Sequence, residues 1–557
     1  MPFQRLLCLL SVLGPLGIAF AAEAPLVGSP PFPLIDGLGA HRRPVTQCSP
    51  LAQRYFDQGI AFYSGFAHGP AIKSLTEAER LAPDCAMVHW AIALAHGPNI
   101  NAPSVPDKAA TAAWAELQLA EKCAPSASPV EQALIGALAK RYANPQPEDR
   151  SGLDAAYAEA MRQIWHRYPT DADVGTWFAE AMMDLRPWDQ FTHDGKPQPG
   201  TEEILATLDS VLRLDLQHPY ANHLYIHTLE ASSEPARALP AADRLLHLQP
   251  ILAHNVHMPS HIYIRVGRWQ DAIQSNQDAV DAQHRFEAIV GLPGKGSSLP
   301  AYNAHNEHML AYAAMMTGES TLALEHVRAA IRCLTPEYIE NNPPDAPDYF
   351  AAMPLEVLIR FGRWDAVLAE PTDYPDAYRF TQAYSHAARA IALAAKGNIP
   401  DARHEQAAFQ ECAKRIDPKT WFSLNPSTKI AALLDPMVEG EIDLRAGQAS
   451  QGLAALQQAV ALQDGLGYDE PPGWLIPVRH ALGAALLQRG RLADAEAIYR
   501  EDLKRNPNNG WSLFGLTRTL DLEHRGAEAA AAERQFKAVW AKADVTIDAS
   551  CLCQSLR

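Results

Sequence analysis

Histidines recur at helical spacing in three segments of this 557-residue chain. The segments are HPYANHLYIHTLE (218–230), HNVHMPSHIYIRVG (254–267) and HNEHM (305–309). A spacing of three or four residues stacks side chains on one face of a helix. Imidazole nitrogen is a preferred ligand of zinc, copper, nickel and iron. The pattern therefore predicts a transition-metal site, provided that the three segments converge in space.

Helix pairs that would position these histidines are indicated by an internal repeat. Segments 52–83 and 476–507 carry small residues and a closing proline at matching positions, and their signature resembles that of tetratricopeptide (TPR) repeats. The signature residues are Gly59, Phe62, Ala71, Ala78 and Pro83 in one segment and Gly483, Gly490, Ala495, Tyr499 and Pro507 in the other. Strand-like alternation is almost absent. The sequence predicts an all-α, TPR-type α-solenoid of stacked antiparallel helix pairs that forms a right-handed superhelix.

The repeat register places the histidines on one side of the array. In TPR repeats the first helix lines a concave groove through positions 2, 5, 9 and 12, which span an arc of about 80° on a helix. Repeats starting at Pro219, Ala253 and Ala304 give twelve such positions, and seven of them hold His. By chance, 21 histidines in 557 residues would supply roughly one half. A further repeat starting at Ala172 places Glu180 at position 9.

The sharpest hypothesis is a metal centre in the groove. Two ions are compatible with the sequence, and so is one ion whose ligands are hydrogen-bonded by the remaining residues. The sequence does not distinguish iron, copper and zinc. Pro259 predicts that the first helix of the middle repeat begins near it, with the preceding histidines on an entry segment. The candidate ligands are His223, His227, Glu230, His254, His257, His261, His305, His308 and Glu180.

Three classes of function follow from such a groove. One is a metal-dependent enzyme, oxidative or hydrolytic, that acts on a small molecule or peptide, with Glu230 or Glu180 as proton-transfer groups. The others are a non-catalytic metal carrier and a TPR scaffold that binds an extended segment of a protein partner. The sequence contains no His-Glu-x-x-His, Gly-x-Ser-x-Gly or dinucleotide-binding motif, so it leaves turnover undecided.

Composition and charge bear on the partners and the compartment. A formal net charge of −17 argues against nucleic acid and anionic membranes as partners. Arg5 followed by an apolar run and small residues predicts a cleaved signal peptide at 1–22, hence a periplasmic or secreted protein without membrane insertion. Disulfides are permitted after export; Cys85–Cys123 and Cys333–Cys412 are reasonable pairs by proximity, but the sequence does not determine the connectivity. The tail CLCQSLR is compatible with a metal, a strained bridge or a frayed end.

The whole mature chain resembles a family of exported bacterial TPR proteins. The phrases that carry the resemblance are AMMDLRPWDQ (181–190), ANHLYIHTLEAS (221–232), HNVHMPSHIYIRVGRW (254–269), YNAHNEHMLAYAAMM (302–316), RFGRWD (360–365) and YDEPPGW (468–474). The resemblance implies an α-solenoid that binds in its groove and implies no reaction. His89 and His96 depart from the family pattern, and packing or capping is their expected role. After the signal peptide we expect an extended linker at 23–45, TPR-like arrays at 46–300 and 301–545, and a Cys-containing tail at 546–557.

Overall fold

The computed structural model describes residues 31–291, 300–342 and 344–554. The predicted signal peptide at 1–22, and the first part of the predicted linker, lie outside the described residues. The chain divides into two compact units, Met1–Ile262 with Asp278–Leu299, and Tyr263–Gln277 with Pro300–Arg557. None of the described helices has the length and apolarity needed to cross a membrane.

Unit 1 is built from antiparallel helix pairs. Its helices are α1 (Pro50–Ser64), α2 (His68–Leu81), α3 (Ala86–Ala95), α4 (Asp107–Cys123), α5 (Pro129–Leu138), α6 (Ser151–Arg167), α7 (Ala172–Met183), α8 (Thr201–Leu214), α9 (Pro219–Leu229), α10 (Leu239–Leu248) and α11 (Ala253–His257). The helices α12 (Pro259–Arg265) and α13 (Trp269–Ile289) contribute residues to both units. Short 3₁₀ helices occur at Ala124–Ser126 and Pro235–Ala238.

Unit 2 continues with the same kind of helix pair. Its helices are α14 (Pro300–Thr317), α15 (Ser320–Cys333), α16 (Pro336–Asn341), α17 (Asp345–Arg360), α18 (Trp364–Ala369), α19 (Arg379–Ala395), α20 (Ile399–Ala413), α21 (Ser427–Arg445), α22 (Ala449–Asp464), α23 (Val478–Gln488), α24 (Leu492–Arg505), α25 (Gly510–Leu522) and α26 (Gly526–Val539). Two short strands, β1 (Trp421–Phe422) and β2 (Asn425–Pro426), pair antiparallel, and 3₁₀ turns occur at Trp540–Lys542 and Leu552–Gln554. The predicted all-α helical-repeat architecture is confirmed.

Small residues sit where the two helices of a pair cross, as the repeat signature predicts. A Cβ on Gly59 of α1 would lie 2.5 Å from Cγ of Leu75 on α2. A Cβ on Gly483 of α23 would lie 2.5 Å from a ring carbon of Tyr499 on α24. Real Cβ atoms do not approach this closely, so these positions exclude any larger residue. The turn glycine Gly490 has a φ of +69°, a conformation that costs glycine little.

The predicted repeat register agrees with three of four helix starts. Helices α7, α9 and α11 begin at Ala172, Pro219 and Ala253, the residues predicted. Helix α14 begins at Pro300, four residues before the predicted Ala304. The interruption expected at Pro259 separates α11 from α12, because proline supplies no N–H to a preceding helical turn.

The inner helices of unit 1 pack against one another, so the groove positions there are buried. The ring of Trp90 on α3 lies 4.8 Å from that of Trp177 on α7. The end of α1 contacts α9 through a hydrogen bond from His223 to the carbonyl of Ser64 (2.7 Å). The non-helical segment 31–45 packs onto α1, where the Tyr55 hydroxyl donates to the carbonyl of Phe32 (3.0 Å).

The residues after α26 form a tail that returns across unit 2. The Asp544 carboxylate accepts the backbone N–H of Ser320 at the start of α15 (2.7 Å). Further along, Arg445 at the end of α21 donates to the carbonyl of Cys553 (2.6 Å). Cys553 is 1% exposed, so the tail is a packed element and not a frayed end.

The two disulfide pairs suggested by proximity along the chain are not formed. The structure joins Cys551 to Cys553, and among the described residues it joins neither Cys85 to Cys123 nor Cys333 to Cys412. The Cys85 thiol instead donates to the carbonyl of Thr46 (3.3 Å). Proximity along a helical array does not point two Cβ atoms at each other, which a disulfide requires.

Candidate metal centre

Three histidines of unit 1 converge on one buried point. His223 and His227 lie one turn apart on α9, and His254 lies on α11. Their ring centroids are 4.8 Å (223–227), 4.9 Å (223–254) and 5.9 Å (227–254) apart. One ring nitrogen from each lies within 4.8 Å of the others. We call these three residues the histidine centre; they are 0%, 4% and 7% exposed.

Hydrogen bonds fix which nitrogen of each α9 imidazole carries its proton. Nδ1 of His223 lies 2.7 Å from the carbonyl oxygen of Ser64, and Nδ1 of His227 lies 2.8 Å from Oε1 of Glu230. Carbonyl and carboxylate oxygens only accept, so both Nδ1 atoms donate. In a neutral imidazole the lone pair then resides on Nε2. Both Nε2 atoms are buried and have no hydrogen-bond partner among the described residues.

Glu230 links the histidine centre to a second pair of imidazoles. Its Oε2 lies 2.9 Å from Nδ1 of His261, so the one carboxylate contacts both His227 and His261. Nε2 of His261 lies 2.9 Å from Nε2 of His257. The predicted ligand Glu230 is thus placed behind the imidazoles, where it orients them. Carboxylates in this position are common partners of metal-ligating histidines.

Burial and the neighbouring groups set the charge states. Burial lowers the pKa of His223, His227 and His254 below the ordinary imidazole value, which leaves the three rings neutral at pH 7. Burial alone would raise the pKa of Glu230, but its interactions with His261 and His227 outweigh it and lower that pKa. The centre therefore consists of neutral rings beside one carboxylate, the protonation state in which imidazole binds metal.

Two aromatic side chains, Phe66 and Trp188, cover the histidine centre. The sequence analysis did not place either residue at the site. The ring of Phe66 lies 4.6, 5.7 and 5.5 Å from the rings of His223, His227 and His254. The ring of Trp188 meets that of His227 edge-on at 5.4 Å. Phe66 and Trp188 have φ values of +55° and +58°, which are unusual for bulky residues. Such conformations persist where the surrounding structure holds them, often at functional sites.

The residues present fit a transition-metal ion. Hydrogen bonds to buried acceptors fix the lone pairs of two imidazoles, and a third imidazole lies within ligand distance of them. All three donor atoms are nitrogen, which suits zinc, copper, nickel or iron and excludes calcium and magnesium. Three histidines with one further position describe many catalytic zinc sites.

The other predicted site residues occupy different surroundings. Glu180 on α7 is buried and accepts a hydrogen bond from the Tyr63 hydroxyl, and burial raises the pKa of Glu180. His308 on α14 is buried in unit 2, 5.7 Å from the ring of Phe350 and 6.3 Å from that of Phe422. His305 on the same helix is half-buried. All three residues of the histidine centre belong to unit 1.

Two other buried histidines have a hydrogen-bond partner at each ring nitrogen. The backbone N–H of Ala221 donates to Nδ1 of His218 (3.2 Å), so Nε2 of His218 carries the proton and faces Asp173 (3.1 Å). In unit 2, Arg360 donates to Nδ1 of His480 (2.9 Å), and Nε2 of His480 faces Asp502 (2.8 Å). Each of these rings accepts a hydrogen bond at Nδ1 and faces a carboxylate at Nε2.

Comparison with known proteins adds little beyond the fold. No protein-family model matches the sequence, and no curated protein is significantly similar to it. Among solved structures, human IFIT1 as a dimer with m7Gppp-AAAA is 13% identical, with a TM-score of 0.31 over 88% of this chain and 91% of that one. The TPR domain of P58(IPK) is 12% identical, with a TM-score of 0.22 over 85% and 98%. At these scores the likeness carries no argument about ligands, and the helix pairs themselves carry the assignment of a TPR-like repeat fold.

Proposed function

We propose that this protein is an exported helical-repeat protein that binds a transition-metal ion at Nε2 of His223, Nε2 of His227 and a ring nitrogen of His254. One observation carries the proposal. Ser64 and Glu230 hold the protons of the two α9 imidazoles on Nδ1, which leaves two buried Nε2 lone pairs in a cluster where one ring nitrogen of each histidine lies within 4.8 Å of the others. Burying two such atoms without a partner costs free energy that a bound ion would offset.

The ion is a resident cofactor and not a transported cargo. The three ligands are almost fully buried, and Phe66 and Trp188 lie against their rings. A carrier has to release its metal, and release from this centre requires these aromatic groups to move. The burial therefore favours a metal-dependent enzyme over a metal carrier.

A zinc ion would supply Lewis acidity here, and an iron or copper ion would supply redox chemistry. The chain's own contribution is to hold three neutral imidazoles in place and to exclude bulk water around them. Glu230 acts as a positioning residue, since one of its oxygens accepts the N–H of His227 and the other lies 2.9 Å from Nδ1 of His261. A hydrolytic or oxidative reaction on a small molecule or peptide is the activity that we would screen.

Export is supported by the pattern of residues 1–22 and by the buried Cys551–Cys553 disulfide, since disulfides persist in oxidising compartments. Fractionation of the native host checks this part of the proposal. Recovery of the protein in the cytoplasm with residues 1–22 retained would reject it.

The metal content of the protein, purified without a histidine tag, tests the central claim. We expect a stoichiometric transition metal by mass spectrometry in the wild type, and its loss in His223→Asn/His227→Asn. His247→Asn is the matched control, because His247 is exposed at the end of α10. Circular dichroism establishes that each variant is folded. Metal-free wild-type protein that takes up no iron, copper or zinc on reconstitution would refute the proposal and leave a binding scaffold without a metal.

A further inference from the structure

Three consecutive helices bring a second set of metal-ligand groups together, away from the histidine centre. Glu79 comes from the end of α2, His89 from α3 and Glu116 from α4. Nδ1 of His89 lies 2.8 Å from Oε2 of Glu116 and 3.9 Å from Oε1 of Glu79. The imidazole is 3% exposed, while the two carboxylate side chains are 30% (Glu79) and 19% (Glu116) exposed. The cluster therefore has a rigid, buried nitrogen and an edge that reaches solvent.

The loop between α2 and α3 determines the proton position on His89. Nε2 of His89 lies 2.8 Å from the carbonyl oxygen of Pro83. A carbonyl only accepts, so Nε2 carries a proton, as Nδ1 does in His223. In the neutral ring the lone pair on Nδ1 then faces the two carboxylates. A lone pair does not stay 2.8 Å from a carboxylate oxygen without a cation, which is either a second proton on the ring or a metal ion.

The spacing of the three groups suits a metal ion. Bonds of about 2.0–2.2 Å place two ligands of a tetrahedral zinc ion roughly 3.3 Å apart. The two measured distances, 2.8 and 3.9 Å, lie on either side of that value, and one ligand atom from each residue lies within 4.8 Å of the others. One nitrogen and two carboxylate oxygens form a donor set for zinc or a similar divalent ion, whereas calcium takes six to eight oxygens.

Charge favours the ion as well, because Glu79 and Glu116 place two carboxylates beside one imidazole. A proton on His89 offsets one negative charge, whereas a divalent ion offsets both.

We infer that Glu79, His89 and Glu116 form a second metal site, one that binds a zinc-like divalent ion through Nδ1 of His89 and one oxygen of each carboxylate. The ion joins α2, α3 and α4, so it stabilises the first repeats of unit 1. Its solvent-facing edge leaves room for water as a further ligand. The site binds more weakly than the histidine centre, because its carboxylates are partly exposed, 30% and 19%, and share the ion with water.

The test uses protein in which the histidine centre is disabled by His223→Asn/His227→Asn, so that the two sites are read separately. Zn²⁺ is titrated into this protein by isothermal calorimetry, and we expect one saturable equivalent. Adding His89→Gln should abolish it, and adding Glu116→Gln should weaken it at least tenfold. Glu121→Gln is the matched control, because Glu121 lies on the same helix, exposed and outside the cluster.

Each outcome decides the matter. Equal binding by the His89→Gln and Glu121→Gln proteins would mean an adventitious ion only, and absence of saturable binding would mean an ion pair between His89 and Glu116 only; either overturns the inference. If the His89→Gln protein fails to fold, the Glu116→Gln protein supplies the same comparison, since its amide still fits the space of the carboxylate. The state of the histidine centre does not affect this readout.

Discussion

The replacement Glu230→Gln isolates the positioning role of one carboxylate. Oε1 of Glu230 accepts the Nδ1–H of His227 (2.8 Å), and Oε2 of Glu230 lies 2.9 Å from Nδ1 of His261. Glutamine has nearly the same shape but presents one acceptor and one NH₂ donor. The NH₂ group would face an Nδ1–H, so one of the two rings has to move its proton to Nε2. If that ring is His227, the metal loses a lone pair.

Loss of an outer partner of this kind costs about 10- to 100-fold in metal affinity, or about 1.4–2.7 kcal/mol. We expect Glu230→Gln to weaken Zn²⁺ binding by this factor in a competition titration against a chromophoric chelator. The ligand-field spectrum of the Co²⁺ form should change as well, which a purely structural role for Glu230 would not produce. Glu234→Gln is the control, because Glu234 is four residues away and its side chain is 69% exposed. Affinity and spectrum within experimental error of the wild type in Glu230→Gln would refute the reasoning.

Three further predictions address the surroundings of the site and the fold. Phe66→Ala should lower the free energy of unfolding by about 3 kcal/mol and speed metal loss in a chelator pulse, and unchanged loss would show that the ring does not cover the ion. Asp173→Asn removes one carboxylate from buried Arg43 (2.8 Å) and should cost about 2 kcal/mol in urea unfolding at pH 7. Burial opposes ionisation of Asp173, but hydrogen bonds from histidines and the charge of Arg43 hold its pKa well below the usual range. The stabilisation by Asp173 is therefore present above about pH 4 and is lost as the pH falls further. A difference in stability between variant and wild type that grows on acidification would contradict this. Arg445→Ala removes the charged donor to the tail and should lower the stability of unit 2 by about 2 kcal/mol, whereas a cost no larger than that of the exposed Arg491→Ala would show that the tail adds no stability.

Local spacing predicted much of the fold and part of the site. The 3.6-residue period and the repeat signature are short-range features, and they located the starts of α7, α9 and α11. They also placed His223, His227 and His254 on facing positions of adjacent repeats, which is why these rings meet. The break at Pro259 followed from proline chemistry alone.

What the sequence did not reveal depends on contacts between distant segments. Ser64 is separated from His223 by 159 residues, and no local pattern indicates that α1 ends against α9. The same packing makes the Glu180 carboxylate the hydrogen-bond acceptor of the Tyr63 hydroxyl and not of an imidazole. The roles of Glu230 and His89 depend on which ring nitrogen bears the proton, a property set by three-dimensional neighbours and absent from residue spacing.

The returning tail has a consequence for the order in which the protein is made. Residues 544–554 follow every helix of unit 2 along the chain, yet the Cys553 carbonyl is held by Arg445 at the end of α21, 108 residues earlier. During synthesis α21 leaves the ribosome long before that carbonyl exists. Domains generally fold from the N-terminal side as they emerge from the ribosome. The surface at the end of α21 that contacts the tail therefore stays uncovered until the tail has been synthesised. Pausing of translation before residue 554 would lengthen the interval in which that surface is open to chaperones or to aggregation.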